Sequence, residues 1–112
     1  MKVLSLQLFV PGGKDFAKSR ALFQALGFEE RWASDGVVGF ALGHAAFILQ
    51  TIDMPEVAAQ MMMGIDVDDL DAWWATNEAA LAVVKTKPPT VFPWGREVHF
   101  IDYVGVCWHV GA

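Results

Sequence analysis

Glu97 and His99 are separated by one residue, and His109 follows after a short turn. They lie in the segment Pro93-Trp94-Gly95-Arg96-Glu97-Val98-His99-Phe100-Ile101-Asp102, closed by Gly105-Val106-Cys107-Trp108-His109-Val110. Side chains two positions apart on a strand point the same way, so Glu97 and His99 share a face. His109 faces them if the two stretches pair as a hairpin. A carboxylate beside an imidazole can make a general base. Alternation also supports a plainer expectation, in which Glu97 and His99 occupy a solvated face opposite Val98 and Phe100. The other reactive groups promise less. His44 falls in a turn, and Cys107 in an apolar strand reads as an inert thiol. No Ser-His-Asp or Cys-His spacing and no glycine-rich phosphate loop is present.

The elements that must position these groups recur in one order. Met1 to Val10 reads as a buried strand stopped by Pro11-Gly12-Gly13. Lys14 to Leu26 is a helix with Leu22, Phe23 and Leu26 on one face, and Gly27 at the position of a C-terminal glycine. Three strands follow, Phe28 to Ala33, Val37 to Leu42 and Ala45 to Thr51, turning at Asp35-Gly36 and Gly43-His44. A link with Pro55 inside it then leads to a second strand, Met61 to Val67. Asp68 caps a helix from Asp69 to Leu81, with Asp69 and Asp71 near its positive end. Leu70, Trp73, Trp74 and Leu81 form its apolar stripe. Lys85 to Val91 contains Pro88-Pro89, which suits an edge or a loop. Glu97 to Ile101 and Val106 to Val110 end the chain as strands. The pattern is strand-helix-strand-strand-strand, twice, with modules at about 1–52 and 61–112 and a linker at about 53–60.

Composition narrows the function classes. A chain of 112 residues that is 54% hydrophobic and 19% charged is expected to fold as one domain. A formal net charge of -5 disfavours nucleic acid, whose phosphates would be repelled. The single cysteine excludes an intrachain disulfide framework and suits a reducing compartment. The apolar start is too short to span a bilayer. A soluble cytoplasmic protein without membrane or nucleic-acid partners is therefore expected. Five Trp are many for this length and suit aromatic packing, an interface or a ligand wall.

Three stretches carry a resemblance. Ala21-Leu22-Phe23-Gln24-Ala25-Leu26-Gly27-Phe28-Glu29, Val67-Asp68-Asp69-Leu70-Asp71-Ala72 and the Pro93-Trp94-Gly95-Arg96-Glu97 segment occur in the order and spacing of the glyoxalase/bleomycin-resistance/dioxygenase (vicinal oxygen chelate) superfamily. The resemblance covers essentially the whole chain. It implies an α+β fold of two tandem βαβββ modules forming a cupped mixed sheet, completed in a homodimer. The chain departs from the family's Asp-Pro-x-Gly turn, having Asp102-Tyr103-Val104-Gly105 instead.

Metal-using members place ligands in the first and last strand of each module. Carried over by register, those positions are Ser5, Ile48, Met62 and His109, with Gln50 sharing the face of Ile48. Only His109 is a good ligand for a divalent first-row ion. The resemblance therefore implies a metal-free, bleomycin-resistance-like binding protein, without cofactor or catalytic residues, that sequesters a small aromatic or cationic molecule. Ser5, Gln50, Met62 and His109 would line the cup floor, with Trp94 and Trp108 as walls. Indole faces suit planar or cationic ligands, and Met61-Met62-Met63 adds adaptable surface. The alternative is a metal-dependent lyase, isomerase or dioxygenase, which would need Gln50, Glu97, His99 and His109 to converge.

Overall fold

A computed structural model describes all residues, Met1–Ala112. The chain divides into two compact units, Met1–Asp53 and Met54–Ala112. Each holds a helix against one face of a four-stranded sheet.

In the first unit the strands β1 (Leu8–Pro11), β2 (Glu29–Ser34), β3 (Val37–Leu42) and β4 (Ala45–Gln50) are ordered β1-β4-β3-β2. β1 runs parallel to β4, and the other pairs are antiparallel. Helix α1 (Phe16–Ala25) makes the crossover. Asp15 caps it by accepting from the Lys18 amide at 3.1 Å. Gly27, at φ 91°, ends it in the left-handed conformation that glycine adopts most readily. Leu22 and Phe23 of α1 are buried with Val10, Val38, Phe40, Phe47 and Leu49 of the sheet. Phe23, Phe28, Phe40 and Phe47 form a cluster of edge-on and tilted rings with centroids 5.0–6.5 Å apart, distances at which aromatic pairs attract beyond their buried area.

The expected first strand is shorter than its apolar run. Pairing begins at Leu8, and Val3, Leu4 and Leu6 before it are fully exposed. On the face away from α1, Trp32 of β2 stands opposite Gly39 of β3. A Cβ at Gly39 would overlap the indole, so the glycine provides the space in which the ring lies.

The second unit begins with a short helix, α2 (Pro55–Ala58), inside the expected linker. Its sheet contains β5 (Met62–Asp66), β6 (Lys85–Phe92), β7 (Gly95–Ile101) and β8 (Cys107–Gly111), ordered β5-β8-β7-β6. Helix α3 (Leu70–Leu81) is capped by Asp69, one residue later than expected, through a 3.0 Å bond from the Ala72 amide. Its buried positions are Leu70, Asn77 and Leu81. Trp73 and Trp74, expected in the apolar stripe, are only half-buried. Adjacent helical side chains diverge by about 100°, so the two rings cannot both face the sheet. Asn77 takes the inner position between them and Leu81, its amide donating to the Trp73 carbonyl at 2.9 Å.

The Pro88-Pro89 stretch belongs to an edge strand. β6 pairs only with β7, and its register shifts between Lys87 and Thr90 across the prolines. Proline cannot donate to a ladder and is tolerated at an edge or bulge. β6 and β7 are joined by the tight turn Pro93-Trp94, since Phe92 is paired with Gly95. No helix is long and apolar enough to cross a membrane.

Candidate functional site

Alternation divides the second sheet into two chemically different faces. Val98, Phe100, Trp108 and Val110 are buried on the side from which α3 packs. Glu97, His99 and Ile101 of β7, and Cys107 and His109 of β8, lie on the other side. The register extends that face across the sheet. His99 is opposite His109 on β8 and Lys87 on β6, while Gly64 of β5 is opposite His109.

At its centre one carboxylate oxygen gathers three nitrogens. Glu97 Oε1 lies 2.9 Å from His99 Nε2, 3.3 Å from His109 Nδ1 and 3.0 Å from the Trp94 indole nitrogen, which donates to it. Gly111 is the cross-strand partner of Glu97. Hydrogen bonds from His99, then Trp94, hold the Glu97 carboxyl below its ordinary value, against an opposing effect of burial. The alternation that puts Glu97 and His99 opposite Val98 and Phe100 holds, but the face is not merely solvated. Both side chains are only 19% exposed and bound to one another.

Rings stack along this face. Phe92 is stacked on Trp94 at 5.0 Å and on His99 at 4.6 Å, with interplanar angles of 10° and 9°. The His99 and His109 ring centroids are 3.9 Å apart. Lys87 Nζ stands 5.6 Å from the Phe92 ring centre, within the range of a cation–π attraction. Two hollows flank the stack. One, of about 440 Å³, is lined by Lys85, Lys87, Pro88, His99, Ile101 and Cys107. The other, of about 260 Å³, is lined by Met62, Met63, Gly64, Glu97 and His109. Burial, and then the Asp102 charge, raise the Cys107 thiol above its ordinary value, a direction that disfavours the thiolate.

The expected site residues divide accordingly. Met62, Trp94 and His109 belong to this face. Trp94 is 66% exposed at the hairpin tip, and Met62 is 71% exposed. Trp108, expected as a wall, is instead core. It is 2% exposed, lies parallel to Phe100 at 5.9 Å and donates its indole N–H to Asp102 at 2.9 Å. Trp108 and His109 are neighbours on one strand and must face opposite sides, so they cannot both line the cup. Ser5 lies in the exposed chain before β1, and its hydroxyl accepts from the Gln7 amide at 3.4 Å. Gln50 is half-buried at the end of β4, beside Pro11 and Val37. Of the four side chains an enzyme would need to converge, Glu97, His99 and His109 do so within 4.8 Å, and Gln50 belongs to the first unit. Phe92 and Lys87 are not among the residues the sequence singles out: the pairing of Phe92 with Gly95 sets Phe92 on the face of Glu97, and the register shift between Lys87 and Thr90 is needed to put Lys87 there as well.

No protein-family model and no curated protein sequence matches the chain. Solved structures do. A bleomycin-binding protein from Streptomyces verticillus, complexed with copper(II)-bleomycin, superposes with a TM-score of 0.81 at 23% identity, covering 100% of this chain and 98% of that one. An antibiotic-binding protein from Streptomyces sp. CB03234 gives 0.73 at 24% identity, covering 99% and 97%. The FosX fosfomycin resistance protein of Listeria monocytogenes, complexed with Mn(II) and sulfate, gives 0.76 at 18% identity, covering 99% and 91%. The chain therefore shares the α+β fold of these antibiotic-binding and resistance proteins. Its residues do not fit a metal at the positions the resemblance carried over. Ile48 has no donor atom, Met62 offers only a soft thioether, and Ser5 stands outside the strands.

Proposed function

We propose that the protein binds and sequesters a small planar molecule, in the manner of the antibiotic-binding proteins whose fold it shares, and does not transform it. The observation that carries this reading is the aromatic stack of Phe92, Trp94 and His99, with Trp94 exposed at its end, beside a hollow large enough for a ring system. Of the two ligand chemistries expected, aromatic and cationic, the geometry favours the aromatic one. Lys87 already supplies a cation to the Phe92 ring, and the charge of Glu97 is shared among three hydrogen-bonding nitrogens. A planar ring system needs no counter-charge there.

The active form in this reading is a homodimer. Leu8 is 49%, Phe9 52% and Trp32 45% exposed, and residues of the N-terminal run are more so. Apolar surface of this kind marks an interaction site, and a second copy on a two-fold axis would cover it. Sedimentation across a concentration series should give a two-chain species.

The binding reading is tested by thermal shift and tryptophan emission with three probes: bleomycin, proflavine as a planar cation, and anthracene-9-carboxylate as a planar anion. Saturable quenching with a raised melting temperature is expected for at least one planar probe, and the anion should bind no more weakly than the cation. Absence of any saturable response to all three would remove the reading. The Glu97–His99–His109 cluster favours a second reading, a metal-dependent enzyme, for which chemical change of a bound probe in the presence of divalent ions would be decisive.

A further inference from the structure

The cluster at the centre of the face brings two imidazoles and a carboxylate within reach of one ion. His99 and His109 are direct cross-strand partners on the two inner strands of the sheet. Each ring turns one nitrogen toward the same Glu97 oxygen, at 2.9 and 3.3 Å. Neighbouring ligands in a tetrahedral or octahedral shell with bonds of about 2.0–2.2 Å are themselves about 2.8–3.6 Å apart. The two measured separations fall in that interval. All three ligand atoms lie within 4.8 Å of one another.

We propose that Glu97, His99 and His109 form a binding site for a first-row divalent ion of the Zn²⁺, Ni²⁺ or Cu²⁺ class. Two imidazoles and a carboxylate suit such ions better than Mg²⁺ or Ca²⁺, which prefer all-oxygen shells. Glu97 and His99 are on β7, away from the first- and last-strand positions that the resemblance carries over, so only His109 is common to both sets. The ligands sit on paired inner strands, which hold them more rigidly than loops would. The side toward β5 is open. Gly64, opposite His109, has no side chain, and a Cβ built there meets nothing within 4 Å. The adjoining hollow lined by Met62, Gly64, Glu97 and His109 leaves space for water or another exogenous donor to complete the shell. Neutral imidazoles need only move their N–H to the other ring nitrogen to present a lone pair to the ion.

The test is calorimetric titration of untagged, chelator-stripped protein with ZnCl₂ and NiCl₂, paired with ¹⁵N correlation spectra of the histidine rings. Saturable binding of one ion per chain is expected. The His99 and His109 ring signals should shift together, while His44, exposed in its turn, should not respond. His99→Ala and His109→Ala should each weaken binding at least about 100-fold. His44→Ala should leave it unchanged. The ring spectra of the unaltered protein decide the matter even if either variant folds poorly. No saturable binding, shifts confined to His44, or undiminished affinity in a folded His99→Ala/His109→Ala protein would each overturn the proposal.

Discussion

Replacing Asp102 by Ala should destabilise the protein by about 3–4 kcal/mol, a large fraction of the roughly 5–15 kcal/mol that holds a small domain together. The carboxylate is 6% exposed and accepts four hydrogen bonds. Its Oδ1 takes the amides of Val104, Gly105 and Val106 at 3.0, 3.0 and 3.1 Å, and its Oδ2 takes the Trp108 indole at 2.9 Å. Removing it leaves buried donors unpaired, which costs more than the net value of the bonds themselves. Burial pushes the Asp102 carboxyl above its ordinary value, and the indole and the three amides oppose that rise. Asp102→Asn should lose less, about half as much, because the amide oxygen can still serve the turn while its NH₂ confronts another donor. Urea unfolding of both variants, with Trp108→Phe as the second arm of a double-mutant cycle, measures the coupling. A loss below about 1 kcal/mol for Asp102→Ala would show that solvent replaces the carboxylate, and the turn would then owe its shape to the chain alone.

That turn also marks a boundary of what the sequence reveals. Asp102-Tyr103-Val104-Gly105 lacks the proline that fixes φ in related turns, and the link from Asp102 to Trp108 spans the turn into β8, whose register must be known first. Much was legible. The repeated strand-helix-strand-strand-strand order, the Gly27 stop and the opposition of Glu97 and His99 to Val98 and Phe100 all follow from local periodicity and hold in the structure. What escaped depends on pairing. An apolar run shows that a strand is favoured without showing where a partner strand begins, so Ser5 falls outside β1. Alternation requires that Trp108 and His109 face opposite ways, yet either could have faced the core. The choice is made by a buried acceptor for the indole, Asp102, and by a second imidazole and a carboxylate waiting for His109 on the other side. The first and second units also differ in what their open faces carry. Phe9, Gly39 and Ile48 meet on the first, and the second gathers Glu97, His99 and His109.

Trp94→Ala should weaken a planar probe by about 10- to 100-fold, or 1.4–2.8 kcal/mol, with little change in stability. The two effects separate because Trp94 contributes almost nothing to the core. It occupies the tip of the β6–β7 hairpin, 66% exposed, and its contacts are the stack on Phe92 and the bond from its indole nitrogen to Glu97. That bond fixes the indole plane before any ligand arrives, so little rotamer freedom remains to be lost on binding. Trp94→Phe keeps a ring but loses the N–H, and should fall between the two, the difference reporting the value of that anchoring. Trp32, Trp73, Trp74 and Trp108 remain in all three proteins, so quenching that disappears in Trp94→Ala while calorimetric binding weakens identifies the ring that is stacked. Unchanged affinity in Trp94→Ala would move the ligand off the aromatic stack altogether. The hollow lined by Lys85, Lys87 and Ile101 would then remain as its place, and a Lys87→Ala variant would be the one to respond.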